Sequence, residues 1–530
     1  MRAAARLSSA LAAAGAGGAS LASAIAFGSP AGTEARSAPT SMGGGAVTFS
    51  PAAPPSDRPG MRLALVQVLS RHGDRTSINP LPSETREQWG SLLLTDEASS
   101  TLDARATPTP PNPRLLDARK PESWHGQLTT QGVAQLVHTG AALRAWLVDE
   151  RALLPASLTE ARSAGAVKIR STSTRRTVQS AQSLILGLYP AETDADAVAS
   201  SSRAPSPEPL PIEVRDRMRE SMFPNPGMAC ERQIELMRSL DGDPSVMAAE
   251  AAAWERASLT AVRQEVHRRN LDARRAEREL AAAKANASEV SSRESVGGEA
   301  TVASVSERPS PSPATNPNAS PNASKSARDP RLPSATSVWE PLQARANHGL
   351  PLPWGVADDD LAAIRRAAEV RYINRATNAE GAALAGGRLL RELADEAHAV
   401  ARGESSTRLA VYSGHDSSII ALLAVLGAFG GEWPPVASTV VVETWTPSGG
   451  ANALVGRPHW SARLGLGMAR EEGEDMVRVV FNGEVLPLEG CAGQDPTRGG
   501  GLCSLDAFRA MAHARDPKDY RAACAPAAKL

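Results

Sequence analysis

Three short apolar runs, each followed at once by a polar turn, limit the fold of this chain more than any other feature. Residues 61–69, MRLALVQVL, lead into a turn that contains Arg71 and His72. Residues 166–169 and 408–412 are runs of the same kind. Such runs are typical of strands that are buried on both faces of a parallel sheet. Because ligands bind such sheets beyond the carboxyl ends of the strands, we expect the three polar turns to meet in one place.

Helical patterns lie between and after the three runs. One begins at a cap formed by Thr129 or Thr130 and continues with apolar residues to Leu147. The others cover residues 178–188 and 419–426. This alternation of strand, loop and helix predicts an α/β fold with an open, mostly parallel sheet flanked by helices.

The first turn, Arg71-His72-Gly73-Asp74-Arg75, places an imidazole between two guanidinium groups. Arginine side chains bind pairs of phosphate oxygens and stabilise the charge of a phosphoryl group during transfer. His72 is then a candidate nucleophile, and Gly73 lets the backbone pass close to a ligand. On its own, such a motif more often marks a surface histidine in an ion-pair loop. The other two turns therefore decide between these interpretations.

Those turns carry matching groups. His415 and Asp416 follow the third run, and Asp416 can protonate a leaving alkoxide and later activate water. Arg170 and Arg176 follow the second run at the start of a helix, where the helix dipole disfavours positive charge unless an anion binds there. The plainer alternatives are a helix cap for the His-Asp pair and a solvated helix end for the arginines. Together the three turns predict an anion-binding catalytic site.

The overall composition excludes several classes of function. The net charge of −1 gives no general attraction to nucleic acid or to anionic membranes. After the N-terminal stretch no run of about 18 apolar residues occurs, so we expect no membrane span. The 4 cysteines include no Cys-x-x-Cys pair, and no group with metal-ligand spacing accompanies the turns. We therefore expect two disulfides and neither a metal nor another cofactor.

The beginning of the chain has the composition of a targeting segment. Residues 1–24 are rich in alanine, contain arginine but no acidic residue, and end in a small-x-small sequence, which indicates a signal peptide. An organellar transit peptide is the alternative. Residues 25–60 have the composition of a disordered leader. We expect a protein of the secretory pathway, lysosomal or extracellular, with a mitochondrial or other organellar location as the alternative.

The middle of the chain changes character twice. Residues 247–285 are rich in alanine, glutamate and arginine and predict a helix. Residues from about 286 to 335 have low complexity and no periodicity, which predicts disorder. This stretch holds Asn-x-Ser sequons that predict a glycoprotein, at Asn286, Asn318 and Asn322.

The motifs resemble those of the histidine acid phosphatase family of the histidine phosphatase superfamily. That family has Arg-His-Gly-x-Arg-x-Pro, then Arg-Ser-Thr-(x)3-Arg-Thr, then His-Asp, and the same order runs through residues 61–524 here. This chain departs from the pattern at Ser77, where the family has Pro, at Ser173, where it usually has Asp, and at Arg175. A further similarity to the subgroup of lysophosphatidic acid phosphatase type 6 rests on residues 126–132, 169–172, 433–435 with Glu443, and 502–506.

The resemblance implies a phosphoglycerate-mutase-like α/β domain made of residues 61–189 and 401–530. Residues 190–400 would form an inserted helical cap that contains the low-complexity stretch. It also implies the disulfides Cys230–Cys524 and Cys491–Cys503, a pairing that spacing alone leaves open.

The resemblance further implies a covalent phosphohistidine mechanism. His72 would be the nucleophile and Asp416 the proton donor. The phosphate clamp would consist of Arg71, Arg75, Arg176 and His415, with Arg170 as an outer member.

The predicted reaction is hydrolysis of a small-molecule or lipid phosphomonoester, and lysophosphatidic acid is one candidate substrate. A phytase or another inositol-polyphosphate phosphatase of the same superfamily is the alternative. It would need lysines and arginines on the cap, and residues 350–360 contain none. A non-catalytic secreted glycoprotein or scaffold is the alternative of another class, and the intact His72, His415 and Asp416 argue against it. Nothing in the sequence indicates an oligomeric state.

Overall fold

The computed structural model describes residues 49–52, 60–81, 84–109, 124–190, 208–216, 219–222, 230–294, 332–448, 473–488, 491 and 501–526. The strands are β1 (Met61–Arg71), β2 (Ala106–Thr109), β3 (Val167–Ser171), β4 (Leu210–Val214), β5 (Leu409–Gly414), β6 (Thr439–Pro447), β7 (Met476–Phe481), β8 (Glu484–Val485) and β9 (Cys503–Ser504). They form one sheet in the order β2-β4-β3-β5-β1-β6-β7-β8, with β9 paired to β7.

Helices cover both faces of the sheet and continue into a cap. They are α1 (Asp96–Asp103), α2 (Thr130–Arg144), α3 (Leu158–Ser163), α4 (Arg175–Leu188), α5 (Glu231–Asp241), α6 (Pro244–Trp254), α7 (Ala257–Glu294), α8 (Ala335–Asn347), α9 (Asp358–Thr377), α10 (Ala379–Ala401), α11 (Asp416–Val425), α12 (Leu505–Arg515) and α13 (Tyr520–Ala523). A π-helical segment, Ala145–Glu150, extends α2.

The five strands from β2 to β1 run parallel, which confirms the predicted α/β fold with a mostly parallel sheet. Beyond β1 the sheet continues with antiparallel strands, because β6 pairs antiparallel with β1 and β7 with β6. β1 lies at the centre and is buried from Leu63 onwards, as its continuous apolar sequence predicts. Its carboxyl end therefore lies in the middle of one sheet edge.

Two layers of helices bury the faces of the sheet. The core on one face joins β1 to α2 and α4, and the core on the other joins β1 to α10, α11 and α12. α2 and α4 approach closely through two glycines. A methyl group on Gly140 would lie 1.9 Å from Leu184 O, and one on Gly187 would lie 2.0 Å from Val137 O. Only glycine fits at these two positions, which hold α2 at a fixed spacing from α4, the helix that carries Arg176.

Helices α6 to α9 share a separate apolar core that also includes Leu81 and Trp433. This group of helices is the cap, and it lies next to the carboxyl edge of the sheet. The domain division into 61–189 with 401–530 and 190–400 stays a prediction. β4 and α10 fall inside 190–400 but pack with the sheet, because β4 pairs with β3 and α10 joins the core on one sheet face.

Both predicted disulfides are present, Cys230–Cys524 and Cys491–Cys503. The predicted helix at 247–285 is observed as α6 and α7 with a break after Trp254. Within the residues that the structure describes, no helix combines the length and the apolarity that crossing a bilayer requires. The predicted targeting segment, nearly all of the leader, two of the sequons (Asn318 and Asn322) and most of 286–335 lie outside the described residues.

Candidate active site

The carboxyl ends of β1, β3 and β5 bring the three polar turns side by side. His72 N donates to Gly414 O at 3.0 Å, and Thr172 N donates to Ser413 O at 3.1 Å. The first two turns are therefore each fixed to the end of β5, from which the third turn continues into α11. The sheet thus brings together residues that are far apart in sequence, such as His72 and Gly414.

His72 is buried, and its neighbour fixes the tautomer of its ring. Nδ1 lies 2.8 Å from Gly73 O, and because a carbonyl oxygen only accepts, Nδ1 carries the proton and Nε2 the lone pair. Burial lowers the pKa of His72 well below its ordinary value, and the positive charges of Arg176 and Arg71 lower it further. The imidazole therefore stays unprotonated in acidic solution, with Nε2 able to attack.

Two guanidinium groups from the same turn lie beside this ring. Arg71 Nη2 is 3.0 Å from Asp416 Oδ2, and its Nη1 donates to Pro434 O. Arg75 pairs with Glu340 of α8. The Nε atoms of Arg71 and Arg75 are buried and have no hydrogen-bond partner among the described residues. Since a buried N–H without a partner is costly, these two donors favour binding of an anion.

Arg176, in the first turn of α4, adds a third guanidinium group and orients the second histidine. Its Nη2 donates to Nδ1 of His415 at 3.2 Å, so the proton of the neutral ring is on Nε2, which lies 3.0 Å from Thr172 Oγ1. Burial lowers the pKa of His415 well below its ordinary value, and Arg176 adds to this effect. The rings of His72 and His415 are 5.6 Å apart between centroids.

Asp416 is the first residue of α11, and its Oδ1 accepts from Ser417 N at 2.7 Å. Burial raises the pKa of this carboxyl, but Arg71 and His415, together with Arg75, outweigh burial, so the pKa lies below its ordinary value. In this arrangement Asp416 is a carboxylate paired with Arg71.

Arg170 points into a different set of contacts from the other predicted residues. Its guanidinium pairs with Glu220 at 3.3 Å and with Glu392 of α10, donates to Ser221 Oγ at 2.8 Å, and lies over the ring of Tyr412. Its charge is thus satisfied by carboxylates rather than directed at the turns. Glu220 accepts from Met222 N at 2.8 Å, next to the loop that contacts α11. Arg170 therefore belongs to the support of the site and not to its phosphate-contacting surface.

The structure requires glycine at position 73 for a different reason from the one expected from the sequence. A methyl group at this position would lie 2.4 Å from Gly132 O, so the close approach is to the first turn of α2 and not to a ligand. Gly132 is equally confined, since its methyl group would lie 2.2 Å from Asp74 O. The loop of the nucleophile is thus seated directly on α2.

The carboxylate of Glu84 holds the loop after Arg75, in which the family has a proline at the position of Ser77. Ser77 Oγ donates to Glu84 at 2.6 Å, and Glu84 also accepts from Leu81 N and from the indole of Trp89, both at 2.9 Å. These bonds give the loop a rigidity that the missing proline ring would otherwise supply.

A cavity of about 260 Å³ opens beside this cluster, between the sheet edge and the cap. Of the predicted site residues, Arg71, Arg75 and Asp416 line it. The cap contributes side chains that sequence reasoning did not find: Thr336, Trp339, Glu340, Gln343, Asn347 and Tyr372. Trp433 completes an aromatic wall, with ring centroids 4.7 Å from Trp339 and 4.4 Å from Tyr372. Burial, with a contribution from Asp416, raises the pKa of Tyr372 to about 12.

No group of three or more histidine, cysteine, aspartate or glutamate side chains in the described part of the chain is arranged to hold a metal ion. The guanidinium groups of Arg176, Arg71 and Arg75 all lower the pKa of His72, and such groups are suited to an anion.

Residues 62–236 and 357–482 match the histidine phosphatase superfamily, branch 2. Counting factor 60 of Dictyostelium discoideum is 25% identical over 474 residues, which cover 88% of this chain and 89% of that protein. Human lysophosphatidic acid phosphatase type 6 is 30% identical over 151 residues, 26% of this chain and 34% of that protein. The Hafnia alvei phytase structure aligns with 88% of this chain and 99% of its own, at 15% identity and a TM-score of 0.48.

The match to lysophosphatidic acid phosphatase type 6 thus spans about a third of the length of that protein. The match to counting factor 60 spans most of the length of both chains. The family match covers more than half of the chain and includes each of the three turns and the strands that precede them. This chain belongs to the histidine phosphatase superfamily, branch 2, and is a phosphatase of the histidine acid phosphatase type.

Proposed function

We propose that His72 is the nucleophile of an acid phosphatase that hydrolyses phosphomonoesters through a covalent phosphohistidine. The orientation of His72 carries this proposal. Its Nδ1 is held by Gly73 O, so the lone pair of Nε2 is fixed among the guanidinium groups of Arg71, Arg75 and Arg176. A neutral, oriented nucleophile surrounded by phosphate-binding cations is what phosphoryl transfer requires.

The first step joins Nε2 of His72 to phosphorus and breaks the bond from phosphorus to the ester oxygen. Arg71, Arg75 and Arg176 stabilise the charge on the phosphoryl oxygens. Asp416, as a carboxylic acid, gives its proton to the leaving alkoxide. His415 lies beside the ring of His72, and its Nδ1 accepts from Arg176, which holds that guanidinium group next to the nucleophile.

Asp416 must hold a proton for this step, although Arg71 lowers its pKa in the arrangement described above. A phosphoryl group bound at Arg71 brings negative charge next to the carboxylate and draws on the same guanidinium group. Both effects favour protonation of Asp416, and acidic solution supplies the proton. In the second step, the Asp416 carboxylate takes a proton from water, water oxygen bonds to phosphorus, and the bond to Nε2 breaks.

The cavity indicates the chemistry of the alcohol part of the substrate. Apart from the carboxylate of Glu340, the side chains that α8 and α9 contribute to its walls are uncharged, and Trp433 adds a further aromatic ring. Trp433 Nε1 and Thr336 Oγ1 are buried there without a hydrogen-bond partner among the described residues. These groups suit an uncharged alcohol that carries apolar surface and an oxygen acceptor. Lysophosphatidic acid is one such phosphomonoester, and a relative named for that substrate supports it as a candidate.

A phytase or another inositol-polyphosphate phosphatase remains the second candidate. It would hold several phosphate groups and would need cations on the cap side of the cavity. The described cap residues that line the cavity include no lysine or arginine. The monophosphate reading is therefore favoured.

We further propose a location in the secretory pathway, lysosomal or extracellular, with another organelle as the alternative. Two disulfides support an oxidising compartment.

The test is to trap the phosphoenzyme. Full-length protein is mixed with a ³²P-labelled phosphomonoester at acidic pH, quenched in alkali and digested. We expect alkali-stable, acid-labile label on the peptide that contains His72, and none with His72→Ala. His398→Ala, on α10 and outside the cavity, is the matched control and should label normally. Label on any other residue, or turnover by His72→Ala, would refute the proposed nucleophile.

A further inference from the structure

The cap contributes a single charged side chain to the cavity among its described residues, the carboxylate of Glu340. It lies on α8, and the side chain is 14% exposed. The remaining charged residues that line the cavity come from the turns: Arg71, Arg75, Asp74 and Asp416. The arginines in the cavity wall suit an anion, so a carboxylate in the same wall affects which anionic substrates can bind.

Three donors hold Glu340 in place. Its Oε1 accepts from Ile78 N at 2.9 Å and from the Arg75 guanidinium, and its Oε2 accepts from Asn79 N at 3.2 Å. These three contacts hold the carboxylate in the cavity wall. Nη1 of Arg75 donates to Glu340, whereas Nε of the same guanidinium group has no partner among the described residues.

A phosphoryl group bound at Nε of Arg75 would have Glu340 on the other side of the same guanidinium group. A second phosphate on a neighbouring carbon of the substrate would then lie next to a fixed negative charge. The negative charges of Glu340 and of that second phosphate would repel each other. In a partly buried site, repulsion between neighbouring like charges is enough to change affinity by about tenfold.

We propose that Glu340 restricts this enzyme to substrates that carry one phosphate group, by repelling a second phosphate at the cap side of the cavity. This inference rests on the proposed phosphatase function and specifies its substrate class. Glu340 acts on selectivity and is not a catalytic residue, because its atoms contact Arg75 and backbone N–H groups rather than the reacting atoms.

The experiment compares two substrates with the same skeleton, phenyl phosphate and benzene-1,2-diyl bisphosphate, through their kcat/KM values. We expect wild type to prefer phenyl phosphate by about tenfold. Glu340→Gln keeps the shape and one acceptor oxygen but removes the charge, so we expect it to lose most of this preference. Glu265→Gln, on α7 and paired with Arg268 outside the cavity, is the matched control and should keep the preference.

A second variant guards against misfolding of the first. Glu340→Asp retains the charge and should keep the preference for phenyl phosphate, because the repulsion depends on the charge and not on the length of the side chain. A lost preference in Glu340→Asp, or equal losses on both substrates in Glu340→Gln, would overturn the inference and leave Glu340 as a support for Arg75. If phenyl phosphate itself is not hydrolysed, the proposed function fails instead.

Discussion

His348 Nε2 lies 2.6 Å from Asp74 Oδ2, and this contact joins the end of α8 to the loop that carries His72. Both side chains are buried, and Asp74 Oδ2 also accepts from Thr129 Oγ1 at 2.6 Å. The ring of His348 packs edge-on against Trp89, with centroids 5.3 Å apart. The cap is therefore bonded to the nucleophile loop two residues from the nucleophile itself.

Replacing His348 by alanine should weaken that connection. Asp74 would lose one of its buried partners, and we expect the free energy of unfolding to fall by about 1–3 kcal/mol. Because the same loop holds His72, kcat should fall as well. Urea unfolding and steady-state kinetics measure the two effects, with His398→Ala, which should change stability by under about 0.5 kcal/mol, as control. Identical unfolding curves would mean that Thr129 alone suffices to hold Asp74.

The acid limb of the pH profile should move when Arg176 is neutralised. Unprotonated His72 is the active form, so kcat/KM falls as pH drops through the pKa of His72. After burial, Arg176 is the largest cause that lowers this pKa. Arg176→Gln should therefore raise the pKa of His72 and shift the acid limb towards neutral pH. Lys168→Gln, whose side chain pairs with Glu396 away from the site, provides the control. A limb that stays in place or moves to lower pH would contradict the assignment.

Asp416→Asn should slow hydrolysis in proportion to the basicity of the leaving group. Alkyl phosphates need a proton on the departing oxygen, and their turnover should fall by a factor on the order of 10²–10⁴. p-Nitrophenyl phosphate scarcely needs that proton and should lose far less. Rates on a series of leaving groups give the comparison. A uniform loss across the series would remove Asp416 from the acid role.

Dialysis against EDTA should leave activity unchanged, and vanadate should inhibit. The phosphoryl charge faces Arg71, Arg75 and Arg176, and a cation placed among these guanidinium groups would be repelled. Both treatments are assayed on the same preparation, with sulfate-free buffer as reference. Loss of activity in EDTA that added divalent metal restores would replace the phosphohistidine step with attack by a metal-bound water.

The site residues at the strand ends were predictable because each follows a short apolar strand directly. Parallel pairing of β1, β3 and β5 then places His72, Thr172 and His415 at one edge of the sheet. Their positions could be predicted locally, because each polar turn directly follows the end of its strand.

The cap side of the cavity was not predictable in this way. Glu340 lies in α8 and His348 directly follows it, and nothing near them in sequence marks them as buried partners of Arg75 and Asp74. Their role depends on how α8 packs on the sheet edge. Arg170 shows the converse, since its position directly after the apolar run 166–169 suggested an anion site, but Glu220 and Glu392 from distant segments already neutralise it.

The disulfide between Cys230 and Cys524 imposes an order on biosynthesis. The two cysteines are separated by 294 residues, so at about 5–20 residues per second the ribosome needs roughly 15–60 s to supply the second thiol after the first. Throughout that interval Cys230, at the start of α5, is exposed to wrong partners. Cys491 and Cys503, with a separation of 12, emerge almost together and can pair first. The bond between Cys230 and Cys524 therefore has to wait until the whole intervening stretch has been made, and the yield of active enzyme should depend on the oxidants and disulfide isomerases that the chain meets.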